Sequence, residues 1–177
     1  FHLSLQSGSD KILEKMRRKY TRQQYLDVVK LIKRKIPLAT FTTDIMVGFA
    51  GETEEDFNES LDIIYQVGFL KVHVFPYSIR PGTLAANFDG QISKATKTKR
   101  VQKMIDTSQK ISRIVIESFL NLKLEVLYES SAGEGFYRGY TKNYIPVKTK
   151  SAENICGKIL ETSLISVNED FCEGKLI

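Results

Sequence analysis

Residues 42–53, TTDIMVGFAGET, run an apolar strand into a Gly-x-x-Gly turn and then into a helix whose first turn is rich in acid. Before this stretch residues 1–36 read as strand, turn and helix; after it residues 54–78 read as helix and strand. Alternation of this kind marks parallel βα units. Ligands of such units sit on loops at the carboxyl ends of the strands, so the loop after Val47 is the place to look for function.

Toward the amino end, Phe1 to Gln6 reads as a short strand turned by Ser7-Gly8-Ser9. Ser9 is placed to cap a helix that keeps Ile12, Leu13, Met16 and Tyr20 at helical spacing and carries Arg18. Thr21 and Gln24 make a capping-box pair for a second helix, with Tyr25, Val28, Val29, Ile32 and Ile36 on its inner face and Pro37 as its stop. Toward the carboxyl end, a helix opened by Thr53 turns Phe57, Leu61 and Ile64 inward, and Leu70 to Tyr77 forms a third strand. After the loop SIRPGTLAANFDG a long helix runs from about Ser93 to about Leu122. Its basic side carries Lys94, Lys97, Lys99, Arg100, Lys103, Lys110 and Arg113. From Lys123 onward the segments KLEVLYES, GFYRGY, NYIPVKT, ICGKILETSLIS and FCEGKLI read as short strands of a small antiparallel β-barrel. The expected organisation is α/β: barrel units over 1–92, a connector helix over 93–122 and a β-module over 123–177.

Net charge is +5, unevenly spread. Residues 1–122 hold 19 Lys and Arg against 13 Asp and Glu, whereas residues 123–177 hold 7 against 8. The basic excess suits a polyanionic partner or, equally, a solvated helix surface. No apolar run is long enough to cross a bilayer. Two cysteines, Cys156 and Cys172, are too few for a disulfide scaffold and lack metal-ligand spacing. The chain opens on Phe1 inside an expected strand, which reads as a piece of a longer, cytoplasmic protein.

Side chains alternate across a strand. Phe41, Ile45 and Val47 fall on one face of the second strand, with Thr40, Thr42, Asp44 and Met46 on the other. Leu3 and Leu5 oppose His2, Ser4 and Gln6; Val72 and Val74 oppose Lys71, His73, Phe75 and Tyr77. Polar groups sealed in a barrel without partners would cost about 1–3 kcal/mol each, so the half-polar face implies a wet or ligand-filled lumen. The alternative is that Ser4, Thr42 and Asp44 bond one another across strands. At the turn, Glu52, Glu54, Glu55 and Asp56 occupy the helix start and satisfy its dipole, which disfavours a pyrophosphate. An adenosyl compound with a positive centre is compatible.

Four motifs in order, HLSLQSGSDKILEKMRRKYT (2–21), TTDIMVGFAGETEEDF (42–57), HVFPYSIRPGT (73–83) and GYTKNYIPV (139–147), resemble the radical S-adenosylmethionine methylthiotransferases. HLSLQSGS and the 73–83 motif look most like the branch acting on N6-threonylcarbamoyladenosine at position 37 of tRNA; the isopentenyladenosine branch usually has Pro where Ser4 stands. The resemblance implies the C-terminal half of a partial (βα)6 barrel followed by a TRAM-like RNA-binding barrel. It implies S-adenosylmethionine held across the strand ends, with Gln6 and Asp44 on the ribose and Arg18 on the methionyl carboxylate. Met46, Phe75 and Pro76 would line the adenine, and Gly48 and Gly51 would shape the turn beside it. It also implies two [4Fe–4S] clusters in the parent protein. The Cys-x3-Cys-x2-Cys loop that holds the catalytic one does not occur here, so the chain alone is expected to be inactive.

In the β-module Phe136, Tyr137, Arg138, Tyr140, Lys142, Tyr144, Lys148 and Lys150 interleave aromatics with cations, which suits stacking on RNA and phosphate contact. The expected partner is the tRNA anticodon loop; the alternative is that these aromatics are core. A non-catalytic RNA- or partner-binding module and sulfur insertion into a ribosomal protein are the competing functions. Half a barrel also leaves an edge beside Phe1 to Gln6, where self-association is expected.

Overall fold

A computed structural model describes residues 1–168 and 171–177. It divides into two compact units, Phe1–Ile111 and Ser112–Ile177.

In the first unit, α1 (Asp10–Lys15), α2 (Arg22–Lys35), β1 (Thr42–Val47), α3 (Glu54–Val67) and β2 (Lys71–Pro76) follow one another, then a 3-10 turn at Leu84–Asn87 and the start of α4 (Lys94–Glu117). β1 and β2 pair in parallel, with Asp44 opposite His73 and Met46 opposite Phe75. Phe1–Gln6 runs beside β1 but is not a full strand: only His2 bridges Thr42 and Gln6 bridges Ile45. The two bridges are four residues apart on one segment and three on the other, so one residue is extra. The Thr43 hydroxyl fills the gap. Its Oγ1 accepts from the Leu5 amide at 2.9 Å and donates to the Leu3 carbonyl at 2.6 Å.

The first helix is shorter than its apolar spacing predicts. It ends at Lys15, Arg17 adopts φ 58°, and the Arg18 amide reaches back to Leu13 O. Arg18 therefore stands past the helix rather than on it. Tyr20 leaves the helical pattern because its hydroxyl donates to the carbonyls of Ser4 and Leu5 (3.0 and 2.9 Å). Ser9 makes no cap; its hydroxyl donates to Asp56 on α3 at 2.7 Å. The capping boxes at Thr21 and Thr53 are both formed. On α2 the buried residues are Tyr25, Leu26 and Val29, while Val28 and Ile36 are exposed. Burial pushes the Tyr25 phenol up to about 12 although Thr43 pulls it down, so Tyr25 stays neutral and donates to Leu3 O at 2.8 Å.

In the second unit β3 (Lys123–Gly133), β4 (Phe136–Thr141), β5 (Pro146–Lys150), β6 (Ile159–Asn168) and β7 (Phe171–Leu176) close a barrel in the order β3-β4-β5-β7-β6. The barrel is not wholly antiparallel: β5 and β7 pair in parallel through Val147–Cys172 and Thr149–Gly174. Its interior is filled by Val126, Tyr128, Ile145, Val147, Leu164 and Cys172. Tyr128 donates its hydroxyl to Thr149 Oγ1 at 2.8 Å and lies 2.9 Å from Thr162 Oγ1, so the polar tip of a fully buried ring is satisfied. Gly139 fits because any Cβ there would collide with the Leu127 carbonyl on β3.

Candidate functional site

The alternation expected for β1 holds from Thr42 to Val47 but not at Thr40, which is buried. Thr43, Ile45 and Val47 are buried, and Thr42, Asp44 and Met46 are half-buried on the opposite face. On that face a polar network forms. His2 Nδ1 lies 2.9 Å from Thr42 Oγ1, and His2 Nε2 lies 3.1 Å from Ser4 Oγ and 3.2 Å from Asp44 Oδ2. Ser4 donates to Asp44 Oδ2 at 3.1 Å. The cross-strand bonding weighed as an alternative is thus present, with His2 as its hub. Both bonds to Asp44 fall on Oδ2. Oδ1 is the oxygen left to accept from a ligand hydroxyl, and a ribose diol is a donor of that kind.

Met46 and Phe75 follow in register toward the strand ends, and Phe75 is half exposed. Met46 packs on a cluster of Ile12, Phe49 and Tyr77 with Met16, Ala85 and Phe88. This face is polar at Asp44 and apolar at Met46, Phe75 and Pro76, and the Tyr77 hydroxyl is buried without a hydrogen-bond partner. Gln6 is less simply placed. The extra residue before it breaks the alternation, and its φ is 73°. Its backbone lies on β1, donating to Asp44 O and accepting from Met46 N. Arg18 is exposed beyond α1 and outside the network.

The Gly48–Gly51 turn has both glycines at positive φ, 74° and 76°. Lys97 packs against the Cα of Gly48 and Lys15 against that of Gly51, and the Gly51 amide donates to Gly90 O at 2.8 Å. The four carboxylates do not face outward together. Glu52 is buried, accepts from the Gly48 amide at 2.7 Å and pairs with Arg100 Nη1 at 2.6 Å. Asp56 accepts from Thr53, Ser9 and Lys11. Glu54 meets Arg100 Nη2 at 3.3 Å. Charge repulsion is therefore a weaker argument against phosphate here than the sequence suggested. The basic side of α4 is partly spent in the same way. Arg100 is buried, Lys97 donates to Tyr77 O, Lys103 sits over Phe57 and Arg113 pairs with Glu117.

Among the described residues no cluster of His, Cys, Asp or Glu is arranged to hold a metal ion. Cys156 is exposed and Cys172 is buried, with its thiol pushed up to about 11 by burial. The residues present do not fit an iron–sulfur cluster.

On the barrel, the outward residues of β4 are Phe136, Arg138 and Tyr140, facing Lys150, Lys148 and Pro146 of β5. Lys148 lies over Phe136 at 4.5 Å and Phe171 at 5.7 Å. Tyr140 and Tyr144 are exposed neighbours with ring centroids 6.1 Å apart, and Tyr137 is half-buried. Lys142 pairs with Glu125. The exposed aromatics are thus not core; that role falls to Tyr128. His2 stands on the polar face where its alternation put it, hydrogen-bonded to its neighbours, whereas the Glu52–Arg100 pair had no signal in the sequence.

The family model of the radical SAM superfamily matches residues 1–64, the stretch that holds Phe1–Gln6, β1 and most of α3. Over that stretch the chain resembles the radical SAM superfamily, and the curated proteins it is similar to are named for methylthio modification of tRNA. It is 42% identical over 166 residues to the tRNA-2-methylthio-N(6)-dimethylallyladenosine synthase of Pelotomaculum thermopropionicum, covering 93% of this chain and 37% of that protein. It is 35% identical over 180 residues to the threonylcarbamoyladenosine tRNA methylthiotransferase of Bacillus subtilis, covering 99% of this chain and 40% of that protein. The chain therefore spans about two fifths of the length of the curated relatives it matches. No helix among the described residues is long and apolar enough to cross a membrane.

Proposed function

We propose that this chain is the cofactor-cradling and RNA-gripping part of a cytoplasmic methylthiotransferase that adds a methylthio group at C2 of N6-threonylcarbamoyladenosine-37 in the tRNA anticodon loop. The observation that carries the reading is the register of β1 with β2, which sets Asp44 by His73 and Met46 by Phe75 on one open face. Asp44 and Gln6 hold the ribose of S-adenosylmethionine, Met46, Phe75 and Pro76 flank the adenine, Gly48 and Gly51 shape the turn, and Arg18 takes the methionyl carboxylate. Bound S-adenosylmethionine supplies the adenosyl and methyl groups. The two [4Fe–4S] clusters lie in the rest of the parent protein, and with two cysteines at the wrong spacing this chain alone is inactive. Tyr137, Arg138, Tyr140, Lys142, Tyr144 and Lys148 make the RNA face, the aromatics by stacking and the cations by phosphate contact. The threonylcarbamoyl branch is favoured by Ser4, whose hydroxyl donates to Asp44; proline at that position has none to give.

Mass spectrometry of tRNA from a deletion strain tests this. Loss of 2-methylthio-N6-threonylcarbamoyladenosine is the expected result. Loss of the dimethylallyl nucleoside instead would move the chain to the other branch. Unchanged tRNA with loss of a modification on a ribosomal protein would replace the substrate class, and no change in either would leave a binding module. The free edge at Phe1–Gln6 implies self-association of the isolated chain, and light scattering that shows only monomer would count against that.

A further inference from the structure

Gly48 closes β1, and its backbone starts the turn at the cofactor mouth. Its amide donates to Glu52 Oε2 at 2.7 Å, four residues on, inside the protein. Burial pushes the Glu52 carboxyl toward its neutral form, and the cation that opposes this comes from a distant element. Arg100 on α4 places Nη1 2.6 Å from Glu52 Oε2 and 3.1 Å from the Glu52 carbonyl. It reaches Glu54 with Nη2 at 3.3 Å and rests 5.3 Å from the Phe57 ring centroid. Both side chains of the pair are almost fully removed from solvent, at 8% and 0% exposure for Arg100 and Glu52. Glu52 Oε1 and Arg100 Nε have no hydrogen-bond partner, so the pair is not arranged to maximise its own bonding. A buried ion pair is weak evidence for stability, and its better-supported use is to specify one conformation. Here the conformation specified is that of a glycine at φ 74°, a residue with the widest backbone freedom.

We infer that Arg100, acting through Glu52, is a positioning residue that fixes the Gly48 amide and so sets the shape of the S-adenosylmethionine site without touching the ligand. This rests on the cofactor reading above. Neutralising only one partner strands the other charge beside the turn; neutralising both while keeping an acceptor for the Gly48 amide restores the arrangement.

Two readouts test it. Hydrogen exchange of the Gly48 amide is followed by NMR in the 177-residue chain, and S-adenosylmethionine affinity is measured by equilibrium dialysis in the cluster-loaded full-length protein. Arg100→Met is expected to lower Gly48 protection and weaken binding by about tenfold or more, a loss of about 1.4 kcal/mol per tenfold. The double variant Glu52→Gln/Arg100→Met, whose amide oxygen still accepts from Gly48, is expected to return within about threefold of wild type. Glu52→Ala/Arg100→Met, which lacks the acceptor, is expected to stay weak. Should Arg100→Met not fold, the two charge-neutral double variants carry the comparison. Equal affinity of these doubles, or wild-type affinity in folded Arg100→Met, overturns the inference while wild-type binding keeps the cofactor reading. A wild-type protein that does not bind S-adenosylmethionine overturns the cofactor reading and takes the inference with it.

Discussion

The amide of Leu5 donates to the side-chain hydroxyl of Thr43 at 2.9 Å, where a regular parallel ladder would offer a carbonyl. The same hydroxyl passes its proton toward Leu3 O at 2.6 Å, so one buried side chain stands in for two backbone groups. Thr43→Val keeps the shape and strands a buried N–H. The expected loss of stability is about 1–3 kcal/mol. A urea midpoint equal to wild type would show that Leu5 finds another acceptor.

Asp56 gives a pH dependence. Burial pushes its carboxyl up, but hydrogen bonds from the Thr53 amide, Ser9, Lys11 and the Thr53 hydroxyl outweigh this and bring it from 3.8 down to about 2. A depressed folded-state value means that the stabilisation is complete above the unfolded value and is lost as pH falls through the folded one. Asp56→Asn is expected to cost about 1.5–3 kcal/mol at neutral pH, as for charged hydrogen bonds. The gap to wild type should persist to about pH 4 and shrink toward pH 2. Urea titrations giving a constant gap over that acid range would contradict the assignment.

On the barrel, aromatic and cationic residues should fail differently. Tyr140→Ala or Tyr144→Ala is expected to weaken binding of a single-stranded anticodon-loop RNA by about 1–3 kcal/mol at any salt, through lost stacking. Arg138→Ala or Lys148→Ala is expected to reduce the slope of log affinity against log salt by about one. Lys142, already paired with Glu125, should change the slope least. Fluorescence anisotropy across a salt series separates the two effects, and identical slopes throughout would remove the phosphate role.

For the ligand mouth, Arg18→Ala in the full-length protein is expected to weaken S-adenosylmethionine by about 1.5–3 kcal/mol, the worth of a charged hydrogen bond. Lysine should not substitute well, because a carboxylate is matched by the planar fork. Unchanged affinity by calorimetry would withdraw the role, and its exposed position past α1 makes this the sharpest test of the carried-over site.

Local chemistry was legible in the sequence; long-range chemistry was not. Thr40 is buried rather than on the open face, but the capping box at Thr21, the helix start at Thr53, the alternation from Phe41 to Val47 and the five barrel segments follow from neighbours in the chain and stand. The early end of α1 does not, because the force that takes Tyr20 out of the helix is a pair of carbonyls on Ser4 and Leu5. Arg100 reads as one more cation on a basic face, and nothing local separates a solvated arginine from one that meets a buried Glu52. The parallel β5–β7 seam was hidden for a related reason. A strand pattern states which side chains face inward but not which neighbour the strand takes.

That seam has a kinetic consequence. Three hairpin-like or near-neighbour pairings cannot complete the barrel, because β5 waits for β7 and β3 waits for β6. The closing contacts, Val147 to Cys172 and Lys123 to Ser163, join residues far apart along the chain. Loop-closure entropy must be met before either seam is rewarded, so assembly of this unit is governed by its most distant partners and should be slow for its size. Losing residues 171–177 would leave the strands β5 and β6 as raw edges and turn a sealed cylinder into an open, sticky sheet.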